Sequence, residues 1–446
     1  MSAGRVWQRA LLHPVRLVPL AFLAVITLGT LVLLLPIAHP GEVRPLAAAF
    51  TAVSATCITG LAVVDTATYW TPFGQVVIVV LTQMGGFGIM SAATLLALMV
   101  RGKIALSGSL VTQTEKQAKH IGDARTVLVR IGVLMLVCEA AIAAVLTVRF
   151  LARGLDLLDA LWHGVFYACM SFTNAGFAIQ SDSIMGFVPD AFIVWPMYLG
   201  IFVGSLGYPV IFELLKSWRR PDSWSVHTRI TFWGWLLLAA IGFVTFIVFE
   251  WTNPDTLGPM SVLTKINAAM AGTVMPRSGG FNAVDYAHIH DETIVVTIVL
   301  MFIGGGSAGT SGGLKVSTFF LLGYVILAEI RGEPQVRVAH RSIGSATQRQ
   351  ALSVALLCVG FVTLGTIGMV IVTDLPLVAV LFDVVSAFGT VGLSLGITPQ
   401  LNAPGQILLM VLMFVGRVGT ITVASALALR NKRRHFNLPE ERPIVG

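Results

Sequence analysis

Four twelve-residue windows of one pattern recur along the chain, and this recurrence constrains the fold more than any other feature. Each window opens with Phe or Met, carries glycine at its eleventh position and lies between two apolar segments. The windows are 50–61 (FTAVSATCITGL), 166–177 (FYACMSFTNAGF), 270–281 (MAGTVMPRSGGF) and 382–393 (FDVVSAFGTVGL). Their glycines are 104 to 116 residues apart. The pattern therefore predicts four equivalent repeats on one chain, arranged around a common axis as in an ion pore.

Composition places the chain in a membrane. Of its 446 residues 56% are hydrophobic and 11% charged, with mean hydropathy +0.84, whereas soluble proteins carry about 25% charged residues. The first apolar run, 17–38, is long enough to span about 30 Å of hydrocarbon and too long for a signal-peptide core, so we expect a mature helix. The net charge of +7 comes from basic residues beside membrane segments, where membrane lipid accounts for it, and predicts no nucleic-acid partner.

Cysteine spacing argues against a disulfide or metal framework. The four cysteines show no CxxC pair and lie in apolar surroundings, which predicts buried free thiols. They are Cys57, Cys138, Cys169 and Cys358. No long soluble segment is present, so we expect no nucleotide to be bound by this chain and any nucleotide-binding regulator to be a separate chain.

Segment lengths predict an all-α integral membrane protein with eight transmembrane helices in pairs. The predicted spans are 17–38 and 72–100, 127–150 and 189–216, 229–250 and 292–328, and 350–373 and 403–429. Between the members of each pair lies a half-length apolar piece, at 45–56, 159–172, 262–275 and 378–388. Irregular backbone at membrane depth is tolerated only where it is buried or lines water. We therefore expect four re-entrant pore loops with pseudo-four-fold symmetry around one central pore.

The predicted boundaries follow from the polar linkers between these pairs. They are a cytoplasmic amino end (1–16), repeat 1 (17–100), a linker (101–126), repeat 2 (127–216), a linker (217–228), repeat 3 (229–330), a linker (331–349), repeat 4 (350–429) and a cytoplasmic tail (430–446). Most of the 29 Lys and Arg residues lie in these linkers and ends, and acidic residues dominate the opposite side. Basic residues favour the cytoplasmic side, so both termini are predicted to be cytoplasmic. The acidic outer side either concentrates cations or reflects only solvated loops without positive charge.

Each window offers a few carbonyl groups next to its glycine, and these form the predicted selectivity filter. Glycine permits positive φ, so successive carbonyls can point to one side, and four such loops can replace the hydration shell of a monovalent cation. No carboxylate lies in the four triplets, which argues against a divalent-selective ring. The triplets are Ile58-Thr59-Gly60, Asn174-Ala175-Gly176, Ser278-Gly279-Gly280 and Thr390-Val391-Gly392.

At these motifs the chain resembles the Trk/Ktr/HKT superfamily of potassium transporters. The resemblance rests on CITGLAVVDT (57–66), TNAGF (173–177), RSGGFNAVD (277–285) and FGTVGL (388–393), and it covers nearly the whole chain. The short segment before the first helix and the ending PEERPIVG (439–446) are similar to Ktr membrane subunits. One departure is Gly279, where the family more often has Ala. Gly60, where sodium-permeable plant members have Ser, is similar to potassium-selective members.

A second glycine motif recurs 24–28 residues after each loop glycine, at 85–88, 204–207, 304–307 and 416–419. Small residues there indicate close helix packing, which is the preferred reading for the first two. The third differs, because GGGSAGTSGG (304–313) is too rich in glycine for a continuous helix. By resemblance, 304–314 is an intramembrane loop that gates the pore. Its predicted gate residues are Gly304, Gly305, Gly306, Ser307, Ala308, Gly309, Thr310, Ser311, Gly312 and Gly313.

Four charged residues in or near the apolar segments need an explanation. Arg417 is predicted to lie mid-helix below the filter, either bracing neighbouring carbonyls or acting as a positive gate that hydrogen-bonds the glycine-rich loop. Arg277 is expected to brace the third pore loop. Glu139 is expected to pair with another helix, and Glu213 to be solvated near the cytoplasmic end.

The resemblance implies the pore-forming subunit of a potassium uptake system in the cytoplasmic membrane, with K⁺ carried at the carbonyls of Gly60, Gly176, Gly280 and Gly392. It also implies a homodimer and a cytosolic nucleotide-binding regulatory ring, and leaves a dependence on Na⁺ open. The alternative is an HKT-like, sodium-permeable cation transporter. A solute symporter is disfavoured because it should show two inverted halves and a midplane carboxylate. We expect no enzymatic reaction: 309–312 spells the GxSG of an intramembrane serine protease, but no histidine is placed to serve as base.

Overall fold

The computed structural model describes residues 14–42, 44–106, 113–339 and 341–419, and they are mostly helical. Several predicted segments lie outside these residues, wholly or in part. They are most of the amino end (1–13), part of the first linker (107–112), the end of the last predicted helix (420–429) and the tail (430–446).

Fourteen helices carry the fold of the described residues. In chain order they are α1 (Pro14–Leu33), α2 (Pro45–Thr56), α3 (Pro72–Leu106), α4 (Gln113–Ala152), α5 (Leu157–Thr173), α6 (Ala191–Leu206), α7 (Tyr208–Ser217), α8 (Val226–Phe249), α9 (Val262–Val274), α10 (Asp291–Phe302), α11 (Val316–Ile330), α12 (Ser345–Val372), α13 (Leu377–Gly389) and α14 (Ala403–Phe414). Single helical turns lie at Thr66–Tyr69, Met185–Phe187, Pro221–Ser223, Met275–Arg277, Tyr286–His288 and Thr398–Gln400, and a π-helical turn at Val415–Gly419. The strands β1 (Arg337–Val338) and β2 (Arg341–Ser342) pair antiparallel, with Arg337 opposite Ser342.

Four helices of the described part are long and apolar enough to cross a membrane individually, and a bent pair makes a fifth span. The four are in α3, α4, α8 and α12. The bent pair is α6 with α7, and the bend between these two helices is 102°. The other predicted spans are shorter or interrupted helices: α1, α10 with α11, and α14. Length and composition within the described residues therefore support four or five spans by themselves, where the sequence predicted eight.

The four half-length apolar pieces are short helices, α2, α5, α9 and α13, and their second halves are buried. Proline at the first helical position opens α2, and the Ser261 hydroxyl caps α9 by accepting from the Thr264 N–H. The aromatic residues that open three of the windows, Phe50, Phe166 and Phe382, are 0% exposed. The recurring Phe therefore anchors each short helix in the hydrophobic core, while its carboxyl end carries the glycine loop.

The predicted span 189–216 is not one helix, because the chain breaks between α6 and α7. Gly207 has φ +86° and is followed by Pro209. Proline has no N–H, so Pro209 cannot bond the carbonyl of Ser205 in the preceding turn. The Gly306 N–H instead bonds the Ser205 oxygen at 2.7 Å, and the Thr310 N–H bonds the Gly204 oxygen at 3.1 Å. The prediction of close helix packing at 204–207 thus missed a break that is filled by the glycine-rich segment 304–313.

The predicted break at 304–314 is present. Helix α10 ends at Phe302 and α11 begins at Val316, and the two ends of the segment are pinned to each other. The Gly304 N–H bonds the Leu314 oxygen at 2.8 Å, and the Leu314 N–H bonds the Phe302 oxygen at 3.3 Å. The segment is therefore a closed loop inserted in the middle of a span.

Two helices run further than the sequence predicted. Helix α3 continues past residue 100 to Leu106, and α4 starts at Gln113, within the stretch predicted as a linker. The residues concerned, QTEKQAKHIGDAR, contain Gln, Glu, Lys, Ala and Arg, which are strong helix formers. Helix propensity extends both helices where the end of the apolar stretch had been taken as their boundary.

Candidate functional site

The four glycine loops share one backbone conformation. We define them as loop 1 (58–60), loop 2 (174–176), loop 3 (278–280) and loop 4 (390–392). In each, the first and third residues have positive φ and the second does not. The values are Ile58 +56° and Gly60 +86°, Asn174 +62° and Gly176 +68°, Ser278 +70° and Gly280 +73°, and Thr390 +47° and Gly392 +98°. All twelve predicted filter residues therefore lie in loops of one conformation, in which a residue with ordinary φ stands between two residues with positive φ.

Hydrogen bonds at the helix ends explain this conformation in three loops. The N–H groups of Thr59, Ala175 and Val391 bond oxygens five residues earlier, at 2.8, 2.9 and 2.8 Å. This is the six-to-one bond of a Schellman motif, whose left-handed residue is usually glycine. Here that residue is Ile58 or Thr390 in two loops. A β-branched side chain at positive φ is strained and persists only where its surroundings hold it.

The third loop reaches the same conformation by another route. Pro276 lies at the end of α9, and the chain makes a 3₁₀ turn, Met275–Arg277, before the left-handed Ser278. The Gly279 N–H then bonds the Met275 oxygen at 2.9 Å. The window MAGTVMPRSGGF differs most from the other three in sequence. Its short helix also ends differently, but its loop has the same backbone conformation.

The four loops contact one another in cyclic order. A Cβ built on Gly60 would meet the Ala175 oxygen of loop 2, and one on Gly176 would lie 2.6 Å from the Gly280 Cα of loop 3. A Cβ on Gly280 would lie 2.7 Å from the Val391 oxygen of loop 4, and one on Gly392 would meet the Thr59 oxygen of loop 1. The loops therefore close a ring in which each glycine lies against the backbone of the next loop.

Two serines that sequence reasoning did not select hold loops 1 and 4. The Ser54 hydroxyl accepts a hydrogen bond from the Gly60 N–H at 3.0 Å, and the Ser386 hydroxyl accepts one from the Gly392 N–H at 3.1 Å. Each serine lies six residues before its glycine, at the fifth position of the window. The signal was therefore in the sequence, as FTAVS and FDVVS share this serine.

The second glycine layer packs onto the ends of the short helices. Cβ atoms at three of its glycines would meet backbone oxygens that lie four residues before a loop glycine. The pairs are Gly85 with Thr56, Gly204 with Phe172, and Gly416 with Phe388. The prediction of close packing is confirmed for Gly85 and Gly204, and the same contact recurs in the last repeat.

The glycine-rich segment 304–313 lies against three of the four loops. The Asn174 amide of loop 2 donates to the Ser311 hydroxyl at 3.4 Å. Next to loop 3, Arg277 donates to the Gly304 oxygen at 2.9 Å. Beside loop 4, a Cβ at Gly312 would meet the Thr390 hydroxyl. The segment is therefore positioned to respond to, or to change, the geometry of the ring.

Two cationic side chains bind adjacent carbonyls of this segment. Arg417 is 2% exposed and lies in the π-helical turn after α14, where its guanidinium donates to the Thr310 oxygen. Its Nε and Nη2 have no hydrogen-bond partner in the part of the chain that the structure describes. The Lys315 ammonium donates to the Ser311 oxygen. The contact expected for Arg417 is present, whereas the contact of Lys315 was not predicted, although this residue lies only two positions after the glycine run.

Arg277 joins the third loop to the glycine-rich segment rather than bracing its own loop alone. Its guanidinium is 0% exposed and lies 5.0 Å from the centre of the Trp235 ring on α8. The Ser311 hydroxyl donates to the Arg277 backbone oxygen at 3.5 Å. A cation–π contact of this kind helps a buried guanidinium to tolerate the loss of water.

Two carboxylates outside the site also have defined partners. Glu139 accepts from the Gln83 amide at 2.8 Å and so joins α4 to α3, as expected for an interhelical contact. Glu213 was predicted to be solvated; it is partly exposed, and the structure adds hydrogen bonds that were not predicted. It accepts from the Ser225 N–H at 2.5 Å and from the Thr228 hydroxyl at 2.5 Å, so it fastens α7 to the start of α8. The turn Pro221–Ser223 brings these distant residues together.

Comparison with known proteins now places the chain in a family. The model of the TrkH family, described as cation transport proteins, matches residues 7–433. The chain belongs to this family. Among solved structures, the potassium transporter TrkH from Vibrio parahaemolyticus superposes on this TrkH-family protein with a TM-score of 0.72 at 16% identity. The match covers 91% of this chain and 82% of that one, and it shows a shared fold.

Curated relatives match the TrkH-family protein over nearly its whole length. The Ktr system potassium uptake protein B of Bacillus subtilis is 34% identical and aligns over 97% of each chain. The protein of the same name from Vibrio alginolyticus is 31% identical, over 97% of this chain and 94% of the other. The potassium/sodium uptake protein NtpJ of Enterococcus hirae is 30% identical, over 98% of each chain.

Proposed function

We propose that this chain is the pore-forming subunit of a potassium uptake system and that loops 1 to 4 are its selectivity filter. The observation that carries the proposal is the closed ring of four loops with one shared backbone conformation. Membership of the family, and the potassium uptake named for its relatives, supports K⁺ as the ion.

Selection follows from backbone dipoles. Carbonyls of the four loops replace the hydration shell of K⁺. Helices α2, α5, α9 and α13 end at the loops, and the negative partial charge of their carboxyl ends adds to the attraction. The triplets contain no Asp or Glu, so the site suits a monovalent ion. The membrane potential drives uptake with about 2.3 kcal/mol per charge per 100 mV, and no chemical reaction is involved.

The glycine-rich segment 304–313 is the proposed gate, with Arg417 as its latch. The segment crosses the pathway beside the ring, and the Arg417 guanidinium holds it through the Thr310 oxygen. Arg417→Met removes both the hydrogen bond and the positive charge, so K⁺ flux should rise several-fold. Flux into liposomes at equal protein content measures this. Flux that is unchanged or lower in well-inserted protein would contradict the latch.

We further propose eight spanning helices in four repeats with the boundaries predicted from the sequence. In this arrangement α1 and α3 flank α2, α4 and the α6–α7 pair flank α5, α8 and the α10–α11 pair flank α9, and α12 and α14 flank α13. The shared loop conformation and the recurring contacts of Gly85, Gly204 and Gly416 support four equivalent units. Both termini are cytoplasmic in this proposal, and the loops enter from the outer side of the cell membrane.

The proposed assembly is a homodimer with one pore per subunit, regulated by a separate cytosolic ring that binds the nucleotide. Three relatives carry names of Ktr-system uptake proteins, which supports a system of more than one component. The basic linkers and the tail are the proposed docking surface. Anionic membrane lipid is the competing occupant of the same charges.

Sodium is the competing ion, because one relative is named a potassium/sodium uptake protein. The decisive experiment is cation uptake by potassium-starved cells that lack their own transporters. Native chain and Gly392→Ser are compared with K⁺ and then with Na⁺ outside. Rescue by K⁺, with weaker discrimination in Gly392→Ser, supports the filter. Equal entry of Na⁺ in the native chain favours the sodium-permeable alternative, and absence of rescue even with a supplied Ktr regulatory subunit contradicts the proposal.

A further inference from the structure

Asp383 is a buried carboxylate in the short helix α13, and every hydrogen bond recorded for it comes from the chain just after loop 4. It accepts from the Ser394 hydroxyl at 3.0 Å, from the Leu395 N–H at 3.4 Å and from the Thr398 hydroxyl at 2.5 Å. Its exposure is 0%, and the structure records no ion pair to it within the described residues. The carboxylate therefore fastens the segment 394–398 to the helix that carries the loop.

Ser386 lies one turn further along the same helix and binds the Gly392 N–H. Residues three apart on a helix share a face, so Asp383 and Ser386 face loop 4 together. Ser386 holds the loop at its glycine, and Asp383 holds the chain as it leaves the loop. Loop 4 is thus tied to α13 at two successive points.

The other three loops lack the carboxylate. The position nine residues before each glycine is Thr51, Tyr167, Ala271 or Asp383. The Thr51 hydroxyl is buried and makes no hydrogen bond to any residue that the structure describes. Loops 1 and 4 share the serine tether, and loop 4 has the carboxyl group in addition.

The backbone of loop 4 is strained and its neighbours are close, so its geometry depends on the contacts that hold it. Thr390 is β-branched and has φ +47°, a conformation that persists only when surrounding contacts hold it. A Cβ on Gly392 would meet the Thr59 oxygen of loop 1 and lie 3.1 Å from the Gly280 Cα of loop 3. A shift of loop 4 would therefore move carbonyls on both sides of the ring.

We propose that Asp383 is a positioning residue that holds Thr390–Gly392 in ion-binding geometry and thereby sets the discrimination between K⁺ and Na⁺. The inference rests on the proposed function of the loops. A carboxyl group suits this role because its two oxygens accept all three hydrogen bonds from the segment 394–398 at once. The carboxylate touches no transported ion in this arrangement and acts through the loop.

The test compares three variants with the native protein in liposomes, measuring uptake of K⁺ and of Na⁺ at equal protein content. Asp383→Leu removes all acceptors, Asp383→Glu keeps the carboxyl group, and Thr51→Val is the matched control in repeat 1. We expect the K⁺/Na⁺ uptake ratio to fall about tenfold in Asp383→Leu, which corresponds to the net contribution of about one hydrogen bond to the support of loop 4. The apparent KM for K⁺ should rise in the same variant. Asp383→Glu should recover part of the ratio, and Thr51→Val should keep it.

A native ratio in Asp383→Leu, with uptake reduced only in proportion to folded protein, would overturn the inference, because a purely structural residue behaves that way. An equal fall in Thr51→Val would overturn it as well. If Asp383→Leu does not insert into the membrane, Asp383→Asn is measured instead, because it keeps the volume and one acceptor. An unchanged K⁺/Na⁺ uptake ratio in Asp383→Asn would also overturn the inference. Absence of any K⁺ preference in the native protein would instead reject the filter itself, so the two failures are distinguishable.

Discussion

At the scale of single residues, the loop glycines are required for two separable reasons. Gly60 and Gly396 have the same φ, +86°. A Cβ at Gly60 would also meet the Ala175 oxygen of the next loop, whereas the nearest atom to a Cβ at Gly396 is 4.0 Å away. Substituting alanine at each glycine therefore distinguishes the free-energy cost of the left-handed backbone, which both variants share, from the cost of a side chain that collides with the next loop, which applies only to Gly60.

We predict that Gly60→Ala lowers K⁺ uptake at least tenfold, while Gly396→Ala leaves it within about twofold. Both substitutions place Ala at positive φ, which costs about 1–2 kcal/mol, but only the first obstructs a neighbouring loop. Uptake per folded protein, with folding followed by size-exclusion profile, measures the difference. Equal losses in the two variants would show that backbone strain, and not ring contact, governs uptake.

Glu250, just after the end of α8, is a second residue with a calculable effect. Burial raises the pKa of its carboxyl, but four hydrogen bonds lower it more, so that the pKa lies below its ordinary value of 4.5. The donors are the Thr293 hydroxyl (2.6 Å), the Thr256 hydroxyl (2.7 Å), the Asn253 amide (2.7 Å) and the His290 N–H (2.9 Å). A depressed pKa means that the ionised group stabilises the fold above pH 4.5 and loses that contribution as the pH falls through the folded-state pKa.

Glu250→Gln should therefore unfold more easily at pH 7, by about 1–3 kcal/mol, and the gap to the native protein should narrow below pH 4.5. Thermal unfolding in detergent between pH 7 and pH 4 measures it. The exposed Glu329→Gln serves as control and should match the native protein throughout. A gap for Glu250→Gln that stays constant down to pH 4 would contradict the assignment.

At the scale of elements, the break between α6 and α7 is the seat of the glycine-rich segment. A Cβ at Gly207 would lie 2.5 Å from the Ser307 oxygen and 3.0 Å from the Gly309 nitrogen, in a residue with φ +86°. Gly207→Ala should loosen the segment, raise K⁺ flux and lower the unfolding temperature. Gly323 in α11 has no atom within 4 Å of a Cβ, so Gly323→Ala should leave flux unchanged and stabilise by up to about 1 kcal/mol. A native K⁺ flux in Gly207→Ala would show that the contact between Gly207 and the glycine-rich segment has no part in gating.

The sequence was sufficient for the elements whose cause is local. The half-length helices follow from segment length, and the interruption at 304–314 follows from glycine content. The break at Gly207 had a local signal as well, since Pro209 follows it, but the glycines alone suggested packing. By contrast, the left-handed conformations of Ile58 and Thr390 could not be predicted, because β-branched residues normally avoid them and only the surrounding loops hold them there.

The site could be predicted as a set of loops but not as a set of contacts. The repeated windows identified the four loops that share one backbone conformation, and Arg417 was expected to reach the glycine-rich segment. Lys315, Ser54 and Ser386 were missed although their partners are only four to six residues away, because the contacts depend on the local turn of the backbone rather than on residue type. The hydrogen bonds of Glu213 were missed for a different reason, since Ser225 reaches it only after the chain turns at Pro221–Ser223.

At the scale of the whole molecule, the proposed orientation is directly testable. In a chain whose four native cysteines are replaced by alanine, Glu292→Cys should react with a membrane-impermeant maleimide in intact cells. Arg219→Cys should react only after the membrane is opened. Both side chains are exposed, so reactivity reports the side of the membrane rather than burial. The reverse pattern would invert the topology, and labelling of both in intact cells would reject the proposed span between them.

The closed ring of loops 1 to 4 is encoded once, on a single chain, although its four walls share a geometry. In a homotetrameric channel every substitution occurs in all four subunits, so no single loop of the ring can differ from the other three. In this chain each of the four loops has its own sequence and can change independently of the others. The chain after loop 3 contains the glycine-rich segment 304–313, and the chain after loop 2 contains the break between α6 and α7 that receives this segment. The buried Asp383 and Arg417 lie before and after loop 4. In the proposed pore, a substitution in one loop therefore changes one side of the ring and leaves the other three sides with their native sequence.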